Sequence, residues 1–102
     1  MLNDMDFIKT CDVPGPTKEA IRAIILYKSA VTPNDEVVDV GCGTGGITCE
    51  FAQRAKKVTS IDTNPDAISV TKQNLEKFNL GDNVKLINDS GSNALKNIDN
   101  MD

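Results

Sequence analysis

Histidine and tryptophan are absent from the sequence, and only 4% of its residues are aromatic. Histidine is the commonest general base and a frequent zinc ligand, so its absence excludes histidine-based catalysis and most zinc sites. The three cysteines, Cys11, Cys42 and Cys49, are odd in number and show no C-x-x-C spacing. We therefore predict no disulfide framework, no metal site and a reducing compartment, the cytoplasm.

Long hydrophobic runs and an excess of positive charge are also lacking. No apolar stretch approaches the roughly 20 residues that cross a bilayer, and the acidic start, Met1–Asp6, does not resemble a signal peptide. Eleven Lys and Arg residues face fifteen Asp and Glu residues, which gives a net charge of −4 over 102 residues. We predict one small domain at most, with neither a nucleic-acid nor a membrane partner.

Glycine, by contrast, is concentrated in the most informative segment, Glu36–Gly46. Its first part, Val37–Val40, is a β-branched run interrupted by one aspartate, which is typical of a buried parallel strand. Three glycines then alternate at positions 41, 43 and 45 before a helical apolar pattern begins at Ile47. Such a turn brings backbone N–H groups close to a ligand, and the following helix N-terminus favours a negative group. The segment predicts a loop that binds a nucleotide-type cofactor.

Asp39 bears on which cofactor the loop binds. Gly41, Gly43 and Gly46 also satisfy the G-x-G-x-x-G dinucleotide fingerprint, so a nicotinamide or flavin cofactor is an alternative. A carboxylate at the end of the strand would repel a pyrophosphate by about 1–4 kcal/mol. It would attract the ammonium and sulfonium groups of S-adenosylmethionine (SAM). We therefore favour SAM, and the alternative role for Asp39 is to accept hydrogen bonds from loop amides.

Asp62 is the second predicted anchor, at the end of the next predicted strand and 21 residues after Gly41. An acidic residue about 20 residues beyond the glycines is where dinucleotide folds hold ribose hydroxyls. SAM carries the same ribose, so this spacing supports both cofactors. The alternative is an exposed aspartate that caps the next turn.

Helical and strand patterns alternate along the chain. The first helix is predicted over residues 20–31, with Thr17 as its cap, and the second runs from Ile47 to Ala55. A strand over 57–61 is followed by a third helix, which is capped by Asn64 and ended by Gly81. A strand over 84–87 and a further helix from Ala94 complete the predicted order. This order implies an α/β fold with a parallel sheet. Residues 1–16 show little periodicity and end in Val-Pro-Gly-Pro, so we predict that they form an N-terminal arm. Because only three strands are predicted, we expect residues 17–102 to be the truncated first half of a doubly wound domain.

With these motifs the chain resembles the class I SAM-dependent methyltransferases, through Asp39–Gly45 and Asp62, over residues 36–91. A narrower similarity includes Asp6–Lys9, Val13–Thr17 and Gly81–Val84. It points to the archaeal cobalt-precorrin-6B methyltransferases (decarboxylating) of anaerobic cobalamin biosynthesis. The Pro-Gly-Pro-Thr arm, which is not general to methyltransferases, carries this narrower resemblance.

The resemblance implies a Rossmann-like fold and a cytoplasmic, homotetrameric enzyme. Its reaction would methylate carbon-15 of a cobalt corrinoid and decarboxylate the carbon-12 acetate. By resemblance the residues that bind SAM are Thr17, Gly41, Cys42, Gly43, Thr44, Gly45, Asp62 and Gly91, beside Asp39. Where the family has Gly-Asp-Ala after the third strand, this chain has Asp89, Ser90 and Gly91. Asp89 would therefore meet the adenine only with a one-residue slip, and no catalytic residue is assigned.

Three other interpretations share these motifs. A methyltransferase acting on RNA, protein or another small molecule has the same cofactor loop but should lack the Pro-Gly-Pro-Thr arm. A nicotinamide-binding domain shares the glycines but should avoid Asp39. The third is an inactive fragment that lacks the rest of the sheet.

Overall fold

The computed structural model describes residues 1–10, 13 and 15–99, and it confirms the predicted α/β class with parallel strands. The elements, in chain order, are a 3₁₀ turn at Asp4–Asp6, α1 Glu19–Ser29, β1 Glu36–Val40, α2 Gly46–Ala52, β2 Lys57–Asp62, α3 Pro65–Lys77, β3 Val84–Asn88 and α4 Gly91–Asp99. Among the described residues no helix is long and apolar enough to span a membrane.

The sheet has the strand order β1-β2-β3, and both strand pairs are parallel. Its register places Val40 opposite Ile61 and Asp62 opposite Asn88. All three carboxyl ends therefore lie along one edge, which is where α/β sheets bind their ligands. In this sheet β1 and β3 are the outer strands.

The core lies between the sheet and the helices α2 and α3. Val58 and Ile61 of β2 are completely buried. Phe7, from the N-terminal segment, packs with Cys49, Ala52 and Leu75, and its ring meets that of Phe78 edge-on at a centroid distance of 5.1 Å. Part of the predicted arm is thus built into the core.

Arg22 of α1 joins the N-terminal segment to α2. Its side chain is completely buried, and its Nε donates to Glu50 Oε2 at 2.9 Å while a second guanidinium nitrogen pairs with Asp4. The same guanidinium donates to the carbonyls of Leu2 and Thr17. Because a buried charge is tolerated only when it is paired, these contacts fix the path of the chain before α1.

The predicted cap of α1 is wrong. Lys18 occupies the N-cap position without a side-chain hydrogen bond, and Thr17 uses its carbonyl to accept from Arg22. The capping position is therefore one residue later than predicted. The helix also ends earlier than predicted, at Ser29, because Ala30 adopts a left-handed conformation with φ of 50°.

At α3 the predicted start is confirmed and the predicted end is wrong. Asn64 caps the helix by accepting from the Asp66 N–H at 2.9 Å. The helix ends at Lys77 in a Schellman motif, in which Asn79 has a φ of 57° and the Leu80 N–H donates to the Leu75 carbonyl at 2.7 Å. Asparagine adopts this conformation readily, so the helix ends before Gly81.

The strand β1 is less buried than predicted. Val38 and Val40 keep 41% and 54% of their surface exposed. Four large apolar residues of α1 are exposed as well, namely Ile21, Ile24, Ile25 and Tyr27. The described residues thus cover the face of β1 that carries Val37 and Asp39 in part, and the face of Val38 and Val40 less.

Candidate cofactor site

A cleft of about 160 Å³ lies at the carboxyl edge of the sheet. Its lining consists of Val40, Gly41, Ile61, Asp62, Thr63, Asp89 and Gly91. It contains three of the predicted SAM-binding residues, contributed by the ends of all three strands. A larger groove of about 420 Å³ between α3 and β3 contains none of them. Of the two, the smaller cleft is therefore the one that holds residues predicted to bind a cofactor.

The glycine loop turns sharply beside this cleft. Gly43 has a φ of +56°, and apart from Gly43 and its two chain neighbours no residue has a heavy atom within 4 Å of the position that a Cβ would occupy. Gly45 has a φ of +93°, but a Cβ there would lie 2.9 Å from Thr71 Cγ2. Gly43 therefore faces open space, as a loop that admits a ligand requires, whereas Gly45 permits close packing against α3.

Asp62 brings the two predicted motifs together. Its Oδ2 accepts from the Gly43 N–H at 3.2 Å and its Oδ1 accepts from the Asn64 N–H at 2.9 Å. The bond to the Asn64 N–H caps the turn after β2, which is the alternative role considered for Asp62 in the sequence. One carboxylate therefore supports both the glycine loop and this turn. A carboxylate accepts about four hydrogen bonds, which leaves lone pairs for ligand hydroxyls.

Asp39 lies behind the loop, against α2. The Thr48 hydroxyl donates to its Oδ2 at 2.7 Å and lies 2.6 Å from the Ser60 hydroxyl. Burial raises the pKa of Asp39, the Thr48 hydrogen bond opposes this, and the negative charge of Asp62 raises it further. Two carboxylates that interact in this way favour a cationic ligand group.

Thr17 lies beside the loop rather than in the cleft. A Cβ on Gly46 would lie 2.9 Å from Pro16 Cβ and 3.5 Å from the Thr17 nitrogen. The arm therefore crosses the start of α2 in close contact with its backbone. This brings Thr17 to the end of the glycine loop, on the side of α2.

Both Asp89 and Gly91 line the cleft beyond β3. A Cβ on Gly91 would lie 3.0 Å from Val40 Cγ1, so a larger residue would be crowded. The Asp89 carboxylate accepts from the Ser90 N–H at 2.7 Å. Either residue is thus placed to contact a ligand at this end of the cleft.

The loop residues Cys42 and Thr44 are buried, with 7% and 3% of their surface exposed. Burial raises the pKa of the Cys42 thiol, and it raises that of Cys49 to about 12. Both cysteines are free thiols, and at neutral pH both are protonated. They serve as small packing residues, while Cys11 lies outside the described residues.

Two residues of the site were missed in the sequence. The Thr71 hydroxyl donates to the Gly43 carbonyl at 3.0 Å, and the Asn74 amide donates to the Thr44 carbonyl at 2.9 Å. Both belong to the buried stripe of α3. A polar residue in a buried stripe needs a hydrogen-bond partner, and this was the available signal.

Comparisons with known proteins agree with this geometry. The family described as "Methyltransferase domain" matches residues 31–100. A relative from Methanobrevibacter smithii, named "Probable cobalt-precorrin-6B C(15)-methyltransferase (decarboxylating)", is 99% identical over all 102 residues, which span 54% of that protein.

Two solved structures are similar as well. Precorrin 8W decarboxylase from Methanobacterium thermoautotrophicum shares 47% identity with a TM-score of 0.93, over 95% of this chain and 52% of that one. A Streptococcus mutans protein described as "a putative methyltransferase", in complex with SAH, shares 31% identity with a TM-score of 0.66, over 78% of this chain and 46% of that one.

The chain thus spans about half the length of the curated relatives it matches. The resemblance predicted from Asp39–Gly45, Asp62 and the arm is confirmed, as is the Rossmann-like fold. The chain belongs to the methyltransferase domain family.

Proposed function

We propose that the protein is a SAM-dependent methyltransferase that methylates carbon-15 of cobalt-precorrin-6B and decarboxylates its carbon-12 acetate. The near-identity to the Methanobrevibacter smithii relative, maintained through the N-terminal arm, carries the choice of substrate. The hydrogen bond from the Gly43 N–H to Asp62, a residue that lines the cleft, supports the cofactor. In this proposal residues 17–102 form the first half of the SAM-binding domain, and residues 1–16 form its arm.

SAM fits the residues that line this site. The open space at Gly43 leaves room for the amino-acid part of the cofactor beside the loop. Asp62 has lone pairs for the two ribose hydroxyls, and Asp89 and Gly91 lie where the adenine would be held. Cys42, Thr44 and Gly45 would contribute loop backbone, and Thr17 would approach from the arm.

The pair of carboxylates favours SAM over a dinucleotide. Asp39 and Asp62 influence one another electrostatically, and burial of Asp39 makes its negative charge costly unless a cation is near. An ammonium or sulfonium group would relieve that cost. A pyrophosphate would increase it, by about 1–4 kcal/mol for each close pair of charges in a hydrated site.

The chain's own residues act mainly by holding and shielding the reactants. SAM, when bound, supplies an electrophilic methyl group and leaves as a neutral thioether. An electron-rich ring carbon can accept that methyl group without a protein nucleophile, so alignment and exclusion of water are the main requirements. This agrees with the raised thiol pKa values of Cys42 and Cys49. No catalytic acid or base is assigned.

A transfer assay tests this function directly. The protein, expressed from its complete reading frame, is incubated with methyl-labelled SAM and cobalt-precorrin-6B, and with transfer RNA in a parallel reaction. We expect one label and one released carboxyl carbon per corrinoid product. Transfer to RNA but not to the corrinoid would overturn the substrate. Thermal stabilisation by NADH but not by SAM would overturn the cofactor.

Replacing Asp62 with alanine should weaken SAM binding by at least about tenfold, because charge-assisted hydrogen bonds contribute about 1.5–3 kcal/mol each. Isothermal titration calorimetry measures the effect. Asp66→Ala is the matched control, since this carboxylate is exposed on the first turn of α3. Equal SAM affinity in the Asp62→Ala variant and the unmodified protein would remove Asp62 from the site.

The family resemblance also supports a homotetramer in the cytoplasm. The exposed apolar residues of α1, among them Ile24 and Tyr27, offer surface that further protein could cover. Sedimentation equilibrium of the protein expressed from its complete reading frame would determine the number of subunits.

A further inference from the structure

Asn74 is the point at which α3 contacts both the glycine loop and the N-terminal segment, residues 1–10. Its side chain is completely buried. Its amide nitrogen donates to the Thr44 carbonyl at 2.9 Å and to the Ile8 carbonyl at 2.9 Å. Its amide oxygen accepts from the Ile8 N–H at 2.6 Å. One side chain therefore forms hydrogen bonds with the backbone carbonyl of a loop residue, Thr44, and with both the N–H and the carbonyl of Ile8 in the N-terminal segment.

Thr71, one turn earlier on α3, holds the neighbouring loop carbonyl. Its hydroxyl donates to the Gly43 carbonyl at 3.0 Å, and its methyl carbon lies 2.9 Å from the position that a Cβ of Gly45 would occupy. Two consecutive loop carbonyls are thus tied to one rigid helix. Because a peptide unit is planar, fixing these carbonyls also fixes the directions of the adjoining N–H groups. The loop is held by α3 in one conformation.

The N-terminal segment is attached at several other points. Phe7 is buried against α2 and α3, Lys77 donates to the Asp6 carbonyl, and Arg22 holds the Leu2 carbonyl and Asp4. Asn74 differs from these attachments because its amide also donates a hydrogen bond to a carbonyl of the glycine loop, that of Thr44. Displacement of the segment would leave the Asn74 amide with fewer partners and loosen its hold on Thr44.

We propose that Asn74 is a positioning residue that couples docking of the N-terminal segment to SAM binding at the glycine loop. This rests on the proposed function, since SAM is the ligand whose binding is coupled. The coupling is reciprocal, as any linkage between two binding events must be. SAM bound at the loop stabilises the docked segment, and the docked segment keeps the loop in its ligand-binding conformation.

Hydrogen exchange of the Ile8 amide tests the coupling without any substitution. In the protein expressed from its complete reading frame, saturating SAM should slow exchange at Ile8 by about fivefold or more. Calorimetry on the same sample reports whether SAM binds. If SAM binds and exchange at Ile8 is unchanged, the coupling is wrong while the cofactor assignment stands. If SAM does not bind, the proposed function itself fails.

An isosteric substitution adds a second test. Asn74→Asp retains the acceptor for the Ile8 N–H but replaces the donor with an oxygen that faces the Thr44 and Ile8 carbonyls. We expect SAM affinity to fall by about tenfold or more, with the SAM-dependent protection of Ile8 lost. Gln73→Ala is the matched control, because Gln73 is exposed and its side-chain amide donates to the Ser69 hydroxyl on the same helix. Unchanged affinity in a folded Asn74→Asp protein would overturn the proposal.

Discussion

Replacing Gly43 with valine should abolish SAM binding, with a loss of affinity of about a hundredfold or more. No residue other than Gly43 and its two chain neighbours has a heavy atom within 4 Å of the Cβ position at Gly43, so a side chain there would extend into the space proposed for the cofactor. The φ of +56° adds backbone strain of about 1–2 kcal/mol for a residue other than glycine. That strain is small compared with the free energy of unfolding of a typical domain, which is about 5–15 kcal/mol, so the protein should remain folded.

A matched control separates strain from occlusion of the site. Gly81 has a φ of +121° and lies outside the cleft, and a Cβ there would be 3.8 Å from Leu75. Gly81→Val therefore introduces backbone strain without filling the cofactor space. Calorimetry with SAM, together with thermal melting, should show lost binding in the Gly43 variant alone. Retention of SAM by a folded Gly43→Val protein would mean that the loop has only a structural role.

Gly45 shows why the alternating glycines are not equivalent. A Cβ there would lie within 3.2 Å of three Thr71 atoms, including the backbone Cα. A side chain at this position would disturb packing against α3 instead of filling the ligand space. The sequence predicts that both glycines belong to a tight turn. Only the tertiary structure shows that Gly43 faces open space and that Gly45 faces a helix.

Local signals predicted the elements that build the site. The run at β1, the glycines and the Asn64 cap each depend on a few adjacent residues, and the structure confirms the elements they predict. The meeting of Gly43 and Asp62 follows from parallel strands whose carboxyl ends share an edge. Their hydrogen bond could thus be anticipated from topology and spacing.

Residue type and spacing leave some contacts unpredicted. Thr17 has the chemistry of a cap, but Lys18 occupies the N-cap position and the Thr17 carbonyl accepts from Arg22, five residues later. Thr71 fits a helical stripe in the sequence, where its spacing marks it as buried. Spacing does not tell which backbone group a buried hydroxyl will serve, and here that group is the carbonyl of Gly43.

For β1, too, the sequence pattern predicts the element but not how much of it is covered by other residues. Its β-branched run is typical of a strand buried on both faces, yet Val38 and Val40 are substantially exposed. In doubly wound sheets with the order 3-2-1-4-5-6, a fourth strand pairs with the first. The outer edge of β1 and its exposed face therefore lie where further structure would pack, and the relatives are about twice as long as this chain.

The polypeptide Met1–Asp102 expressed alone should be weakly stable, prone to association and inactive on a corrinoid. Both β1 and β3 are outer strands in the described sheet, and an unpaired strand edge invites pairing with another chain. Val38, Val40, Ile24 and Tyr27 add exposed apolar surface. A chain of this size also buries a smaller fraction of its surface than a larger domain, which leaves less to offset its conformational entropy.

Sedimentation velocity, thermal melting and the labelled-SAM transfer assay together measure these properties. The full-length Methanobrevibacter smithii relative is the matched control, since its sequence is 99% identical over the shared region and differs mainly in length. We expect the 102-residue polypeptide to sediment as a mixture of species, to melt broadly and to transfer no methyl group, while the control melts sharply and turns over. A monodisperse monomer with a sharp, cooperative melt and corrinoid turnover would contradict the prediction, because the exposed edge and face of β1 would then need no further structure to cover them.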